Sequence, residues 1–405
     1  MWRGSMAEGL GRNCSAGTVL SGLYHQRRKR PGGNRTPSGA VQDYQEGRKD
    51  MKKSYRPGVY SQYDIISKPK SYEQRYAFFC GGAKVKEEKN IPANMVVQLH
   101  SVEELKEYFL EEGSGKVFCN IARMLLESGI SGLYVVPITT DGSAPAAENY
   151  AAAIQKLCEI KKSGVILCDS SEQSVLQVLK DKTQEASQNQ RERVAVAAVP
   201  KSDAQSVAQS LNCERMVLCC QESGSSFAGK EKSVLFSAAA VAAMLAVSQP
   251  DDRFYSRKME GLVSTEELEE SEIETLLQSG VTVLEEVESE VICIRCVTTR
   301  TQTGGEEDRT FVSINTVLMI DDIIRAVRVQ LSALLKDSRI GFSEDSIASQ
   351  VAVILDEKEQ QGFITEFEPP VVYASEEDPT VCVVELEFHL ASVPSQIYLT
   401  AHISI

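Results

Sequence analysis

Between residues 131 and 250 the chain alternates short, nearly continuous apolar runs with stretches of helical period. Apolar runs over 133–138, 165–168, 194–199 and 216–220 read as strands, and 146–162, 172–186 and 233–247 as helices between them. Ser202 and Gln205 predict a further capped helix that ends at Leu211. Strands of this kind, separated by helices, indicate a parallel sheet covered on both faces, an α/β layer domain. Upstream, Ser101 with Glu104 makes a capping box for a helix to about Glu111, and a second helix is expected over 117–128.

Past residue 280 the period changes to an antiparallel α+β pattern. Strands are expected over 282–286 and 291–298 around a Glu288-Ser289 turn, then a polar loop to 308 and long helices over about 314–335 and 343–360. Two strands of clean alternation close the chain. In the first, Cys382, Val384, Leu386, Phe388 and Leu390 oppose Glu385, Glu387 and His389; in the second, Ile397, Leu399, Ala401, Ile403 and Ile405 oppose Gln396, Tyr398, Thr400, His402 and Ser404. Each is half buried.

The expected organisation is therefore a segment 1–50 that does not order, an extended N-terminal arm 51–72 and a helical or mixed linker 73–130. The α/β domain 131–250 follows, then an acidic connecting helix 251–280 and an α+β C-terminal domain 281–405 that includes a C-terminal strand arm.

Charge changes the picture at two places. The net balance is −14, which argues against a general nucleic-acid coater. Residues 1–50 carry nine basic and four acidic groups, a balance of +5, so the remainder carries −19. That same segment holds nine of the 26 glycines and cannot bury enough apolar surface to offset the entropy of ordering. Residues 264–290 hold ten glutamates and no Lys or Arg, which is either a solvated acidic face or a docking surface for a basic partner. The longest apolar stretch, 234–247, is shorter than the roughly 20 residues that cross a bilayer. Most of the eleven cysteines are scattered inside apolar runs and are expected to behave as small hydrophobes in a reducing compartment.

Catalytic constellations are not legible. Gly113-Ser114-Gly115-Lys116 looks like a phosphate loop but has Leu110 where the first glycine belongs and Val117 where Ser or Thr belongs. Cys293 and Cys296 sit in a β-type run, where an offset of three puts the sulfurs on opposite faces. Glu385, Glu387 and His389 share a face, but cross-strand ion pairing explains them better than a metal. Asp321 and Asp322 point to different faces of a helix and are no acid/base pair. No enzyme, cofactor or metal is expected. The last strand instead runs to Ile405 with no polar tail to blunt it, an edge that either completes its own sheet or adds to a neighbour's.

The run Gly280-Val281-Thr282-Val283-Leu284-Glu285-Glu286, then Val297-Thr298-Thr299-Arg300-Thr301, Asp308-Arg309-Thr310, Ile320-Asp321-Asp322 and the closing Glu377-Asp378-Pro379-Thr380 to Ile405 resembles the contractile phage tail sheath family. So does the start, Tyr55-Arg56-Pro57-Gly58-Val59-Tyr60. In the central region Tyr150, Gln190-Arg191-Glu192-Arg193 and Cys213-Glu214-Arg215-Met216-Val217 are similar to that family. The resemblance covers about Tyr55 to Ile405 and lacks the β-sandwich insertion of longer members, which implies the compact form found in myophage tails and tail-like bacteriocins.

What the resemblance implies is a structural protein whose copies stack as hexameric rings around an inner tube and contract to drive it into a target cell. Its partners would be itself, the tube protein, and baseplate and tail terminator proteins, without nucleic acid or membrane insertion. It would work in a virion tail or tail-like particle assembled in the bacterial cytoplasm. Strands would be donated between subunits by Tyr55, Pro57, Gly58, Val59 and Tyr60 at one end and by Ile397, Leu399, Ile403 and Ile405 at the other. The competing readings are an α/β scaffold or adaptor and an enzyme with an unrecognised site. Residues 1–50 match nothing in the family, and Glu46-Gly47-Arg48-Lys49 can be written in all-purine codons, as a ribosome-binding site would be. Translation is therefore expected to begin at Met51; the intact mass of the native protein checks this, and a mass that includes residues 1–50 overturns it.

Overall fold

Five consecutive apolar residues, Tyr76 to Cys80, followed by Gly81 and Gly82, form strand β1 (Tyr76–Gly82), which is buried along its whole length. The sequence reading placed this stretch in a linker. A short apolar run closed by glycines is nevertheless the pattern of a strand buried on both faces. The computed structural model describes residues 75–89, 91–92, 94–139, 145–337, 343–378 and 381–392, all within one compact unit, Lys70–Ile405.

β1 lies near the middle of a nine-stranded sheet. After β2 (Val97–Leu99) come the helices α1 (Val102–Tyr108) and α2 (Ser114–Glu127), then β3 (Gly132–Ile138), α3 (Ala147–Glu159), β4 (Gly164–Cys168), α4 (Gln173–Gln188), β5 (Arg193–Ala198), α5 (Ala204–Leu211) and β6 (Met216–Cys219). β3 and β4 flank β1, both parallel to it, and β5 and β6 continue outward from β4. β2 runs antiparallel at the β3 edge.

Local caps explain part of the register. The Ser101 hydroxyl accepts the Glu104 amide at 3.2 Å, while the Glu104 carboxylate reaches one residue further back, to the His100 amide at 2.7 Å. The expected cap at Ser202 does not form: its hydroxyl donates to Asp203 Oδ1, residues 201–203 make a 3-10 turn, and α5 starts without a side-chain cap.

A small sheet made by β7 (Ser223–Ser225), β8 (Lys232–Ser233) and β10 (Leu262–Thr265) follows β6 in the chain. Between them runs α6 (Val234–Val247), whose residues Phe236–Ala246 are all buried. A helix apolar on every side belongs inside, and its alanines let it approach β4 and β5 below and α2 above. β9 (Arg257–Lys258) closes the far edge of the large sheet.

The pair expected around the Glu288-Ser289 turn forms as β11 (Val281–Val287) and β12 (Glu290–Arg295), with both turn residues at positive φ. It does not found a separate antiparallel layer, because β11 lies parallel beside β6, with Val281 opposite Leu218. The reason is its first half: Val281, Thr282, Val283 and Leu284 are all buried, so this part needs cover on both faces, whereas the glutamates that follow are exposed. The acidic connecting segment forms the short helix α7 (Glu270–Gln278), with Glu269 and Glu272 as its capping box.

Beyond the ribbon β13 (Gln302–Thr303) and β14 (Glu306–Glu307), the long helix α8 (Ile314–Asp337) starts in the main core and ends in another. Its Met319, Ile323 and Val327 pack with Val351 and Leu355 of α9 (Glu344–Gln360) and with Phe363 and Ile364. The joint is ionic. Arg215, just before β6, grips Asp321 with two bonds of 2.7 and 2.6 Å, and Glu192, just before β5, accepts from Arg328 at 2.7 Å. Asp321 and Glu192 are 6% and 5% exposed.

Removing one partner of such a pair strands the other charge. Asp321→Ala is therefore expected to cost about 3–5 kcal/mol in a urea melt, and Arg215→Met with Asp321→Leu to recover most of that loss.

Candidate assembly surface

In open parallel sheets a ligand site forms at the carboxyl ends of the strands, where the strand order reverses. Here that position lies between β1 and β4, and the protein fills it. Asp169, directly after β4, accepts the Gly82 amide at 2.8 Å and the Tyr150 hydroxyl at 2.6 Å. Gly81 is required beneath it, since a Cβ there would stand 2.6 Å from the Asp169 carboxylate. Burial raises the Asp169 carboxyl above its ordinary value, against the lowering effect of these hydrogen bonds. It also raises the Tyr150 hydroxyl, with Asp169 adding to the effect. The arrangement braces the top of the sheet, and Asp169→Ala is expected to cost about 1–3 kcal/mol in thermal unfolding, the desolvation cost of a donor left unpaired.

The other candidates for chemistry are absorbed locally. Lys116 of the glycine-containing turn donates to Glu231 at 2.7 Å. Cys293 and Cys296 are both buried, and burial pushes the Cys296 thiol up to about 12. No group of three or more His, Cys, Asp or Glu among the described residues is arranged to hold a metal ion. Asp321 and Asp322 face different partners, Arg215 and Lys358. His389 lies across the ladder from Glu366, at 3.8 Å, and Glu385 accepts from Tyr373 at 2.8 Å. Of the acidic segment, Glu266 and Glu272 pair with Lys201. No described helix is long and apolar enough to cross a membrane.

Pairing capacity lies in the C-terminal strands. β15 (Ile364–Phe367) and β16 (Val371–Ala374) form one arm of a hairpin interrupted at Pro369 and Pro370, and β17 (Cys382–Glu385) and β18 (Phe388–Leu390) form the other. The Glu368 amide bonds Glu387 O across the interruption. β15 and β16 pack on α9. Among the described residues each half of the hairpin is a two-stranded sheet, so the outer edge of each arm offers backbone donors and acceptors to a further strand. Two strands alone are marginal in water. Val371, Tyr373 and Val381 nearby are 55%, 40% and 47% exposed, and Val329, Leu335 and Val353 on the two helices are exposed as well.

Tyr55, Pro57, Gly58, Val59 and Tyr60, and Ile397, Leu399, Ile403 and Ile405, lie outside the described residues. The C-terminal ribbon could be read in the sequence only as alternation; the exposed apolar positions on α8 and α9 carried no separate signal, because a helix's outer face is fixed by packing.

Neither protein-family models nor curated proteins match the sequence. Solved structures do match the fold. The helical sheath of the anti-feeding prophage in its contracted state has a TM-score of 0.64 at 12% identity, over 87% of this chain and 100% of that one. A chain of the six-fold symmetrised anti-feeding prophage baseplate has 0.62 at 10%, over 87% and 100%. The sheath tail protein of Desulfitobacterium hafniense has 0.60 at 9%, over 82% and 100%. The chain has the fold of tail sheath proteins of contractile, phage-like systems.

Proposed function

We propose that this chain is the structural subunit of a contractile tail sheath. Copies stack as hexameric rings around an inner tube, anchored by a baseplate and closed by a terminator, and contraction drives the tube through a target cell envelope. The particle is a phage tail or a tail-like injection device assembled in the bacterial cytoplasm. The chain itself catalyses nothing; the work comes from subunit rearrangement.

The observation that carries this reading is the likeness to a helical sheath over that chain's whole length, together with a C-terminal ribbon whose outer edges are unpaired among the described residues. On this reading the arm that contains Tyr55 to Tyr60 and the strand that contains Ile397, Leu399, Ile403 and Ile405 add to ribbons of neighbouring subunits. Main-chain hydrogen bonds would supply affinity, and alternate side chains the register. A mesh of this kind keeps neighbours tethered while their other contacts change.

The purified chain is expected to form rings, tubes or polysheaths in negative stain, whereas a monomer at high concentration overturns the reading. A chain without residues 397–405 is expected to stay folded, by its melting curve, yet fail to assemble. A truncated chain that still builds sheath rejects strand donation while leaving the sheath role intact.

A further inference from the structure

The hairpin of β11 and β12 carries opposite charge at its two ends. At its base, β12 holds one extra residue against β11: Val283 lies opposite Arg295 but Leu284 opposite Cys293. A bulge of this kind re-aims a side chain. Without it Arg295 would share the face of Cys293; with it Arg295 lines a groove of about 620 Å³ beside α5 and α7, together with Arg309, Gln209, Gln278 and Thr301.

Arg295 is half buried, and among the described residues no hydrogen bond or ion pair reaches its guanidinium. Arg123, Arg215, Arg257, Arg300 and Arg328, also partly buried, each meet a carboxylate within 2.6–3.3 Å. Burial and the neighbouring Arg309 both lower the Arg295 pKa, as expected of a cation short of a counter-charge. Two carboxylates also line the groove: Glu307, which pairs with Arg309 at 2.6 Å on the open surface, and Glu274.

The far end of the same hairpin is its opposite. Glu285, Glu286 and Glu288 are exposed, and no ion pair engages them among the described residues; Val287 is 42% exposed between them. Glu290 is tied to Lys258. The tip stands about 13 Å from Val283, four residues at the usual strand rise, and its paired strands cannot fold back to their own base.

We infer that the acidic tip of this hairpin in one subunit docks into the Arg295 groove of a second copy. The inference deepens the sheath reading and rests on it. Donor and acceptor surfaces differ, so the contact is head-to-tail, and such contacts propagate as closed rings or helices rather than ending in a two-fold dimer. A carboxylate from the neighbour supplies the counter-charge that Arg295 lacks, and the tip loses the mutual repulsion of three glutamates.

The full-length chain tests this by charge exchange. Arg295→Glu alone, and Glu285→Lys with Glu286→Lys and Glu288→Lys alone, should each raise the concentration at which assembly begins by about tenfold or more, as measured by sedimentation and negative stain. All four substitutions together should bring it back to near the wild-type value. The neutral variants Arg295→Gln and Glu286→Gln, chosen to keep the wild-type melting curve, should shift it in the same direction by less. Normal assembly of either reversal, or failure of the combined variant to recover while it remains folded, overturns the pairing. If Arg295→Glu alone blocks assembly and the tip reversal does not, the groove takes another acidic partner and the hairpin is excluded. A wild-type chain that never assembles overturns the sheath reading itself.

Discussion

The place of α8 against the large sheet, and of everything α8 carries, is set by a buried ionic joint. Two backbone turns, each just ahead of a strand, present Glu192 and Arg215 to the side of α8, which answers with Arg328 and Asp321. Burial would push the Glu192 carboxyl up, but the Arg328 hydrogen bond and the nearby Arg325 and Arg328 charges hold it below its ordinary value. Lys358 of α9 reaches Asp322 on the next position of α8. The adjacent carboxylates on one helix thus point two ways, one to the sheet and one to the second core. Hydrophobic packing alone could let a 24-residue helix slide along the sheet ends. Directional guanidinium bonds fix its register, and with it the position of the ribbon that α9 supports.

The same sheet closes the position where an open α/β layer would take a ligand. Its switch point is occupied by Asp169, which accepts from both the Tyr150 hydroxyl and the Gly82 amide. Arg193 is buried below, its guanidinium stacked 3.6 Å from the centre of the Phe78 ring and bonded to Ile160 O. Groups at the position where open α/β sheets bind ligands here face each other. On the proposed reading the sheet is the rigid block of the subunit, and its contacts with other copies are at the β11–β12 tip and the C-terminal ribbon.

What could be read from the sequence follows this division. Strands and helices between residues 131 and 250 were legible because short apolar runs alternate there with helical stretches, so that each element marks the bounds of the next. β1 was missed because its five-residue apolar run is not set between helical patterns as the later runs are, and only the adjoining glycines distinguish it. The place of β11 in the large sheet was missed for a related reason: the sequence shows that Val281, Val283 and Leu284 are apolar but not that Leu218 is the neighbour opposite Val281. The Arg215–Asp321 and Glu192–Arg328 pairs span 106 and 136 residues, and no spacing rule reaches so far. The re-aiming of Arg295 depends on a one-residue mismatch between two strands, which leaves no mark in the sequence of either one.

Identities of 9–12% across a shared fold of this length have a physical counterpart in what the fold demands. The buried sheet asks for apolar residues of suitable size at alternating or continuous positions, and many sequences meet that condition. A ribbon edge asks for still less, because the groups it offers are backbone amides and carbonyls that every residue except proline supplies in full. A polymer joined through ribbon edges could therefore replace nearly all its side chains and stay connected. Contacts made by side chains, such as an acidic hairpin tip against an arginine groove, are where one lineage can differ from another. They would give each assembly its own geometry and keep its subunits from joining a foreign lattice.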